Sequence, residues 1–249
     1  MPHPNFLSDS QMEQAYAIEY RELYERHWWW RSREGEILRQ LDRFMKRDGS
    51  NSILDVGCGD GLFFDKLESF GSVAGVEADP HTMTADNRWR KQIHCRFFDD
   101  QFQPNQKYDA ILMLDILEHM PDAPGALRHA KTLLNPNGIL IATVPAFNSL
   151  WTSHDDLNHH EIRYTKKTFC PIVSESGFDL LESRYLYHWT CPVKLAIRLK
   201  ESILGANPKS PTVPASFVNQ VCFGLSKIEQ ATISRWGMPF GSSLMVIGQ

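Results

Sequence analysis

The chain has no surplus of positive charge: 26 lysines and arginines face 30 acids, a formal net charge of −4. General nucleic-acid binders carry a basic excess, so nucleic acid is not the expected partner beyond a local patch. Cysteine is scarce and scattered. Its five copies, Cys58, Cys95, Cys170, Cys191 and Cys222, are odd in number and form no Cys-x-x-Cys pair. That spacing builds neither a disulfide framework nor a zinc site. No apolar run reaches the roughly eighteen residues of a membrane span. The opening Met-Pro-His-Pro-Asn lacks the charged start and apolar core of a secretory leader. Internal repeats and low-complexity tracts are missing too. The expectation is a soluble, cytoplasmic protein.

What is present is enough apolar material for a core. Hydrophobic residues make up 42% of the 249 positions and aromatics 11%, which excludes general disorder and suits one α/β domain with insertions. The organising stretch is Ser52 to Gly61. Ile53 and Leu54 lead through Asp55-Val56 into glycines at 57, 59 and 61, and a helical pattern follows from Phe63 to Phe70. Strand, tight turn and helix is the local form that brings backbone close to a ligand. A second apolar run, Val73 to Val76, ends at Glu77, twenty residues after Gly57. Doubly wound nucleotide folds place there the acid that accepts hydrogen bonds from a ribose diol. Strand patterns recur near 93–98, 109–114 and 138–144, with turn chemistry at Asn135-Pro-Asn-Gly138. Gly177-Phe178 opens a sixth through Tyr187, and Ser243 to Gly248 is a seventh. Short apolar runs separated by helices imply a parallel sheet covered on both faces.

Ile53-Leu-Asp-Val-Gly-Cys-Gly-Asp-Gly61 resembles the first motif of class I S-adenosylmethionine-dependent methyltransferases. Nicotinamide dehydrogenases share the topology and are the rival. Further stretches resemble later motifs of the same family: Phe98-Asp99-Asp100, Leu114-Asp-Ile-Leu-Glu-His119, and Leu134-Asn-Pro-Asn-Gly138 with the strand after it. The resemblance implies a Rossmann-like, mostly parallel seven-stranded sheet with an antiparallel last strand, and S-adenosylmethionine as cofactor. It places Asp55, Gly57 and Gly59 beneath the cofactor's amino-acid end, Glu77 and Ala78 at the ribose, Asp99 or Asp100 at the adenine, and Leu114 alongside.

The expected organisation is one domain over 1–249: a helical cover over 1–50, a cofactor core over 52–187, a helical lid over 190–240 and the last strand. In the cover, Ser8 or Asp9 can cap a first helix with Ala15, Ile18 and Leu23 on its apolar face. A second helix runs through Ile37, Leu38, Leu41 and Phe44. Between them lies His27-Trp28-Trp29-Trp30-Arg31-Ser-Arg33, which resembles a segment of a Trp-rich methyltransferase subgroup. These tryptophans either cover the sheet or, with Trp30 and Arg33 near the cofactor's carboxylate, wall the pocket. In the lid, Pro192 starts a helix that Gly205 ends, and a second helix from Ser216 carries an apolar stripe at 217, 221, 225 and 228. Packing on its own domain is the expectation. The apolar positions mixed with Lys194, Arg198 and Lys200 also suit peripheral contact with a membrane surface.

Asp115-x-x-Glu118-His119 carries the chemistry. If a helix begins after Leu114, Asp115 and Glu118 share a face with His119 beside them. Carboxylates and imidazoles are ligands for a divalent cation such as Mg²⁺ or Zn²⁺. The spacing resembles the Glu-x-x-Glu-His metal site of ubiquinone-pathway O-methyltransferases and of small-RNA 2′-O-methyltransferases, with Asp115 for the first Glu; resemblance to the RNA enzymes adds His160, before Tyr164-Thr165, as the completing ligand. Without a metal, His119, His154 or His160 is the natural general base. His154-Asp155 and His160-x-x-Arg163-Tyr164 also resemble the Trp-rich subgroup, whereas His159 is expected on the surface. The expected function is methylation of an oxygen on a small, lipid-like or sugar-containing acceptor. RNA 2′-O-methylation and a non-catalytic cofactor-binding role are the alternatives.

Overall fold

The computed structural model describes residues 20–84, 86–205, 210–232 and 237–249. The expected cap at Ser8 or Asp9 and the apolar positions Ala15 and Ile18 lie outside them. Seven strands form one sheet: β1 (Asn51–Val56), β2 (Gly71–Glu77), β3 (Ile93–Cys95), β4 (Tyr108–Leu114), β5 (Leu134–Pro145), β6 (Leu180–Leu186) and β7 (Ser243–Gly248). Their order is β3-β2-β1-β4-β5-β7-β6. Neighbours from β3 to β5 pair in parallel, and β7 runs antiparallel to both β5 and β6. The order reverses between β1 and β4, and the crevice beyond their carboxyl ends is where this topology receives ligands.

Side-chain alternation explains the two-sided core. Leu54, Val56, Ile111, Met113, Leu140, Ala142, Leu244 and Val246 point to one face. Ile53, Ala110, Leu112, Ile139, Ile141, Met245 and Ile247 point to the other. Helices α3 (Ala123–Leu133) and α5 (Lys166–Glu175) cover the first face with Ala126, Leu127, Ala130, Phe169 and Val173, the short α4 (Ser153–Leu157) falling between them in the chain. Helices α1 (Trp28–Phe44) and α2 (Phe64–Leu67) cover the second with Ile37, Leu41, Phe64 and Leu67. Both faces are therefore apolar, as a parallel sheet requires.

Three boundaries differ from the sequence pattern. β3 stops at Cys95 because its neighbour β2 ends opposite it, at Glu77, which leaves Phe97 exposed. β6 begins at Leu180 rather than at Gly177. The Asn135–Gly138 turn falls inside β5 as an irregularity, Tyr108 pairing with Leu134 and Ala110 with Ile139, with Asn137 at φ 65.

The larger surprise is the lid. Helix α6 (Thr190–Leu204) docks through polar side chains: exposed Arg198 donates to the Asn148 carbonyl at 2.6 Å, and Glu201 accepts from Ser153 Oγ at 2.6 Å and Ser153 N at 3.1 Å. In α7 (Ser216–Ala231) the buried positions are Asn219, Ser226, Glu229 and Gln230. Asn219 accepts from Trp28 N at 2.8 Å, capping an otherwise unpaired donor at the start of α1, and donates to the Arg26 carbonyl at 2.7 Å. Gln230 donates to the Ser32 carbonyl at 3.1 Å. The stripe at Phe217, Val221, Leu225 and Ile228, expected to pack on the domain, faces outward instead. The body beneath offers backbone donors and acceptors, so the polar faces dock and the apolar faces are left over.

Candidate functional site

A cavity of about 1000 Å³ lies against the ends of β1, β4 and β5, walled also by α1 and the lid. Of the residues singled out in the sequence, it brings together Trp30, Arg33, Asp55, Gly57, Leu114, Asp115, Glu118, His119, His154 and His160. Gly59, Glu77, Ala78 and Asp99 are not part of its wall.

One half is the glycine turn. Gly57 follows β1 at φ +75, and a Cβ there would meet the Ile116 side chain at 2.9 Å. Only glycine meets both conditions without strain. Glu77 closes the turn from β2: Oε2 accepts from Gly59 N at 2.8 Å and Oε1 from Asp79 N at 2.9 Å. Asp60, which the sequence pattern did not single out, is buried and accepts from Arg21 at 2.6 Å, Thr84 N at 3.0 Å and Asn87 Nδ2 at 2.6 Å. It ties the turn to the loop after β2. Burial pushes the Asp55 carboxyl up to about 7, against the pull of Arg33. Asp99 stands away from this half on an exposed turn, 3.6 Å from Arg96 and accepting from Gln101 N at 3.1 Å.

All three tryptophans join the wall, because α1 begins at Trp28 and fans them around its first turn. Trp28 stacks against Trp189, Trp29 against Tyr187, and Trp30 edge-on to His27. Arg33 lies over the Trp29 ring at 4.6 Å and donates to Asp115 Oδ2 at 2.5 Å. Burial works against its charge, but Asp115 outweighs that and holds the guanidinium protonated.

That contact corrects one expectation. No α-helix follows Leu114. Asp115 adopts φ 54, its carboxylate is taken by Arg33 and by Thr143 Oγ1 at 3.0 Å, and residues 117–119 form a single tight turn. Asp115 therefore stands apart from the acid–histidine cluster.

The other half of the cavity is that cluster. Glu118, His119 and His160 place ligand atoms within 4.8 Å of one another, the one such group among the described residues. Glu118 is buried, and neither carboxylate oxygen has a hydrogen-bond partner. Burial, with Asp115 adding to it, raises its pKa well above the usual carboxylate range. Burial and the neighbouring His160 lower the pKa of His119, whose ring centroid lies 4.9 Å from that of His160.

Behind them is an ion pair that the sequence did not reveal. Asp155 is fully buried and accepts from Arg163 Nε at 2.8 Å, Arg163 Nη2 at 2.9 Å, Thr152 N at 2.9 Å and His160 Nδ1 at 2.8 Å. Burial opposes its charge, yet the bonds from His160 and Arg163 hold its pKa well below the ordinary range. In a neutral ring, an ionised carboxylate on Nδ1 fixes the proton there and leaves Nε2, 3.9 Å from Glu118 Oε1, as the accepting nitrogen. His154 is exposed at the mouth, bonded to Asn158 at 3.0 Å, and His159 is exposed on the same rim.

Residues 29–183 match the family model described as a methyltransferase domain. The chain is 28% identical over 112 residues to the ubiquinone biosynthesis O-methyltransferase of Bradyrhizobium diazoefficiens, covering 42% of this chain and 43% of that one. The enzyme of the same name from Paramagnetospirillum magneticum is 30% identical over 107 residues, covering 40% and 43%. The match thus spans less than half the length of these relatives. Among solved structures, an S-adenosylmethionine-dependent methyltransferase from Clostridium acetobutylicum superposes with TM-score 0.59 at 11% identity, covering 96% of this chain and 98% of the other. The [4+2]-cyclase SpnF does so at 0.57 and 14% identity, covering 98% and 97%. Likeness at this level speaks for the fold alone, and the cyclase shows that the fold serves more than one chemistry.

Proposed function

The chain belongs to the methyltransferase domain family, and from that premise we propose that it moves the methyl group of S-adenosylmethionine to a hydroxyl oxygen of a small, lipid-like or sugar-containing acceptor. One observation carries the reading: a single cavity joins the Gly57 turn to the Glu118–His119–His160 cluster. The bound cofactor would bring a methyl group already activated on sulfur, so the protein's work is positioning and proton handling.

Asp55 and Gly57 would lie beneath the cofactor's amino-acid end, with Trp30 and Arg33 beside it and Leu114 along it. Glu77, held by Gly59 and Asp79, would meet the ribose through its remaining lone pairs with Ala78 beside it, and Asp99 would reach the adenine from its exposed turn beyond the cavity wall. At the acceptor, His160 is the better base than His119 or His154, because Asp155 holds it in the tautomer that accepts at Nε2. The cluster also fits a divalent cation. Two imidazoles and a carboxylate suit Zn²⁺ better than the oxygen-seeking Mg²⁺, and the two unpartnered oxygens of buried Glu118 are what a cation would satisfy. Such an ion would supply a lowered pKa for the acceptor hydroxyl. RNA 2′-O-methylation would use the same residues, but Val193, Ile197 and Pro211 on the cavity wall and the net charge of −4 favour an apolar acceptor.

Release of S-adenosylhomocysteine against a panel of phenolic lipids and glycolipids tests this. Turnover is expected with at least one acceptor and falls by about 10²- to 10⁴-fold in His160→Ala. Tight S-adenosylhomocysteine binding with no turnover on any acceptor would restore the non-catalytic reading. Metal content is read in the same samples: stoichiometric metal, lost in His119→Ala, assigns the cluster to a cation, and its absence leaves His160 as base alone.

A further inference from the structure

We propose that the outer face of the α6–α7 lid docks on an anionic lipid surface and admits an amphiphilic acceptor from the bilayer into the cavity. The inference rests on the apolar-acceptor reading above and deepens it. Its basis is the row of exposed apolar side chains on both helices, with the burial of α7 inverted. On α6, Leu195, Leu199 and Ile203 recur every fourth residue and are 48%, 62% and 70% exposed, with Leu204 at 74%. On α7, Phe217 is 80% exposed and Ile228 63%, with Val221 and Leu225 between them. Large apolar side chains left exposed at regular spacing along both helices are the kind of surface that marks a contact. Asn219, Gln230 and Glu201 hydrogen-bond to the body beneath, and these docking bonds hold the helices with the stripes outward.

Charge selects the occupant. Helix α6 exposes Arg198 and Lys200, while its one acid, Glu201, is taken by Ser153 and its third cation, Lys194, lines the cavity, on a chain that is acidic as a whole. Apolar stripe plus cations is the composition of an interfacial helix, with long basic side chains reaching headgroups while their stems stay in the apolar layer. Position agrees. Val193, Lys194 and Ile197 of α6, Pro211 of the following loop and Cys222 of α7 belong to the cavity wall. The apolar face is thus the outer side of the same two helices that wall the cavity. A second copy of the chain seated there would oppose like charges on α6, whereas a bilayer satisfies both the stripes and the cations.

The test is flotation of the full chain with vesicles of pure phosphatidylcholine and of phosphatidylcholine mixed with phosphatidylglycerol. The variants are Leu199→Glu with Ile203→Glu, Phe217→Glu, and Lys200→Glu. Wild type should float with the mixed vesicles and much less with the neutral ones. Each apolar-to-Glu variant should lower the partition coefficient about tenfold or more, and Lys200→Glu should lose mainly the anionic preference. None of these side chains belongs to the cavity wall, so calorimetric binding of S-adenosylhomocysteine should be unchanged in all. Failure of wild type to float with either vesicle would overturn the docking proposal. So would a concentration-dependent dimer that Phe217→Glu splits while flotation stays at background. Loss of S-adenosylhomocysteine binding in wild type with flotation intact would instead overturn the functional reading and leave the docking face standing.

Discussion

Helices α3 and α7 have similar apolar periodicity and opposite outcomes. Helix α3 lays Ala126, Leu127, Ala130 and Leu133 onto the sheet. Helix α7 buries Asn219, Ser226, Glu229 and Gln230 and shows Phe217, Leu225 and Ile228 to the outside. An apolar stripe tells that a helix has two faces; the surface that receives it decides which one turns inward. Beneath α3 lie apolar strands. Beneath α7 lie the Trp28 N–H and the Arg26 and Ser32 carbonyls, which a polar face satisfies and an apolar face would bury unpaired.

The contrast breaks most severely where a buried charge loses its partner. Asp155→Ala leaves Arg163 uncompensated, and urea unfolding should record a loss of about 3–5 kcal/mol. Leu127→Ala in the core should cost about 2–5 kcal/mol by the same measurement. Asn219→Ala, which orphans the Trp28 donor, should cost about 1–3 kcal/mol. Ile228→Ala on the exposed stripe should stay within about 0.5 kcal/mol, so that on α7 the polar residue matters more than the apolar one. An Ile228→Ala cost comparable to Leu127→Ala would mean that the stripe is buried and the comparison is wrong.

A pH experiment sharpens the same contrast at the cavity. Asp55 titrates about 7 in the folded chain, above the unfolded carboxylate value of about 3.9. A raised acid favours folding fully below the unfolded value and progressively less as pH climbs to the folded one. The ligand-free protein should therefore lose stability between about pH 4 and pH 7 from this group, by at most about 4 kcal/mol. Asp55→Asn should flatten that part of the thermal-melt profile while weakening cofactor binding, a trade of stability for function. An unaltered profile would place Asp55 in contact with water.

Much of the sheet was legible because strand alternation and the glycine turn are local signals. Leu54 and Val56 announce one face and Ile53 the other, and Gly57 announces the turn. β3 was read too long because Phe97 and Phe98 look like strand residues, while the end of β2 decides where pairing stops. The candidate cluster was half legible. Spacing brought Glu118 and His119 forward and family resemblance brought His160, but neither could show that Asp115 would take φ 54 and turn to Arg33. Nor could spacing reveal the Asp155–Arg163 pair, whose effect on His160 depends on burial. The lid's orientation was illegible for the reason α3 and α7 illustrate: the receiving surface is assembled from distant parts of the chain.

The most direct test is calorimetric titration of the folded wild-type chain with S-adenosylhomocysteine and, side by side, with NAD, repeated on Glu77→Ala. Binding of S-adenosylhomocysteine in preference to NAD, weakened about tenfold or more in the variant, is the expected result. Preferential binding of NAD, or no binding of S-adenosylhomocysteine at all, would contradict the assignment of the cavity to methyl transfer.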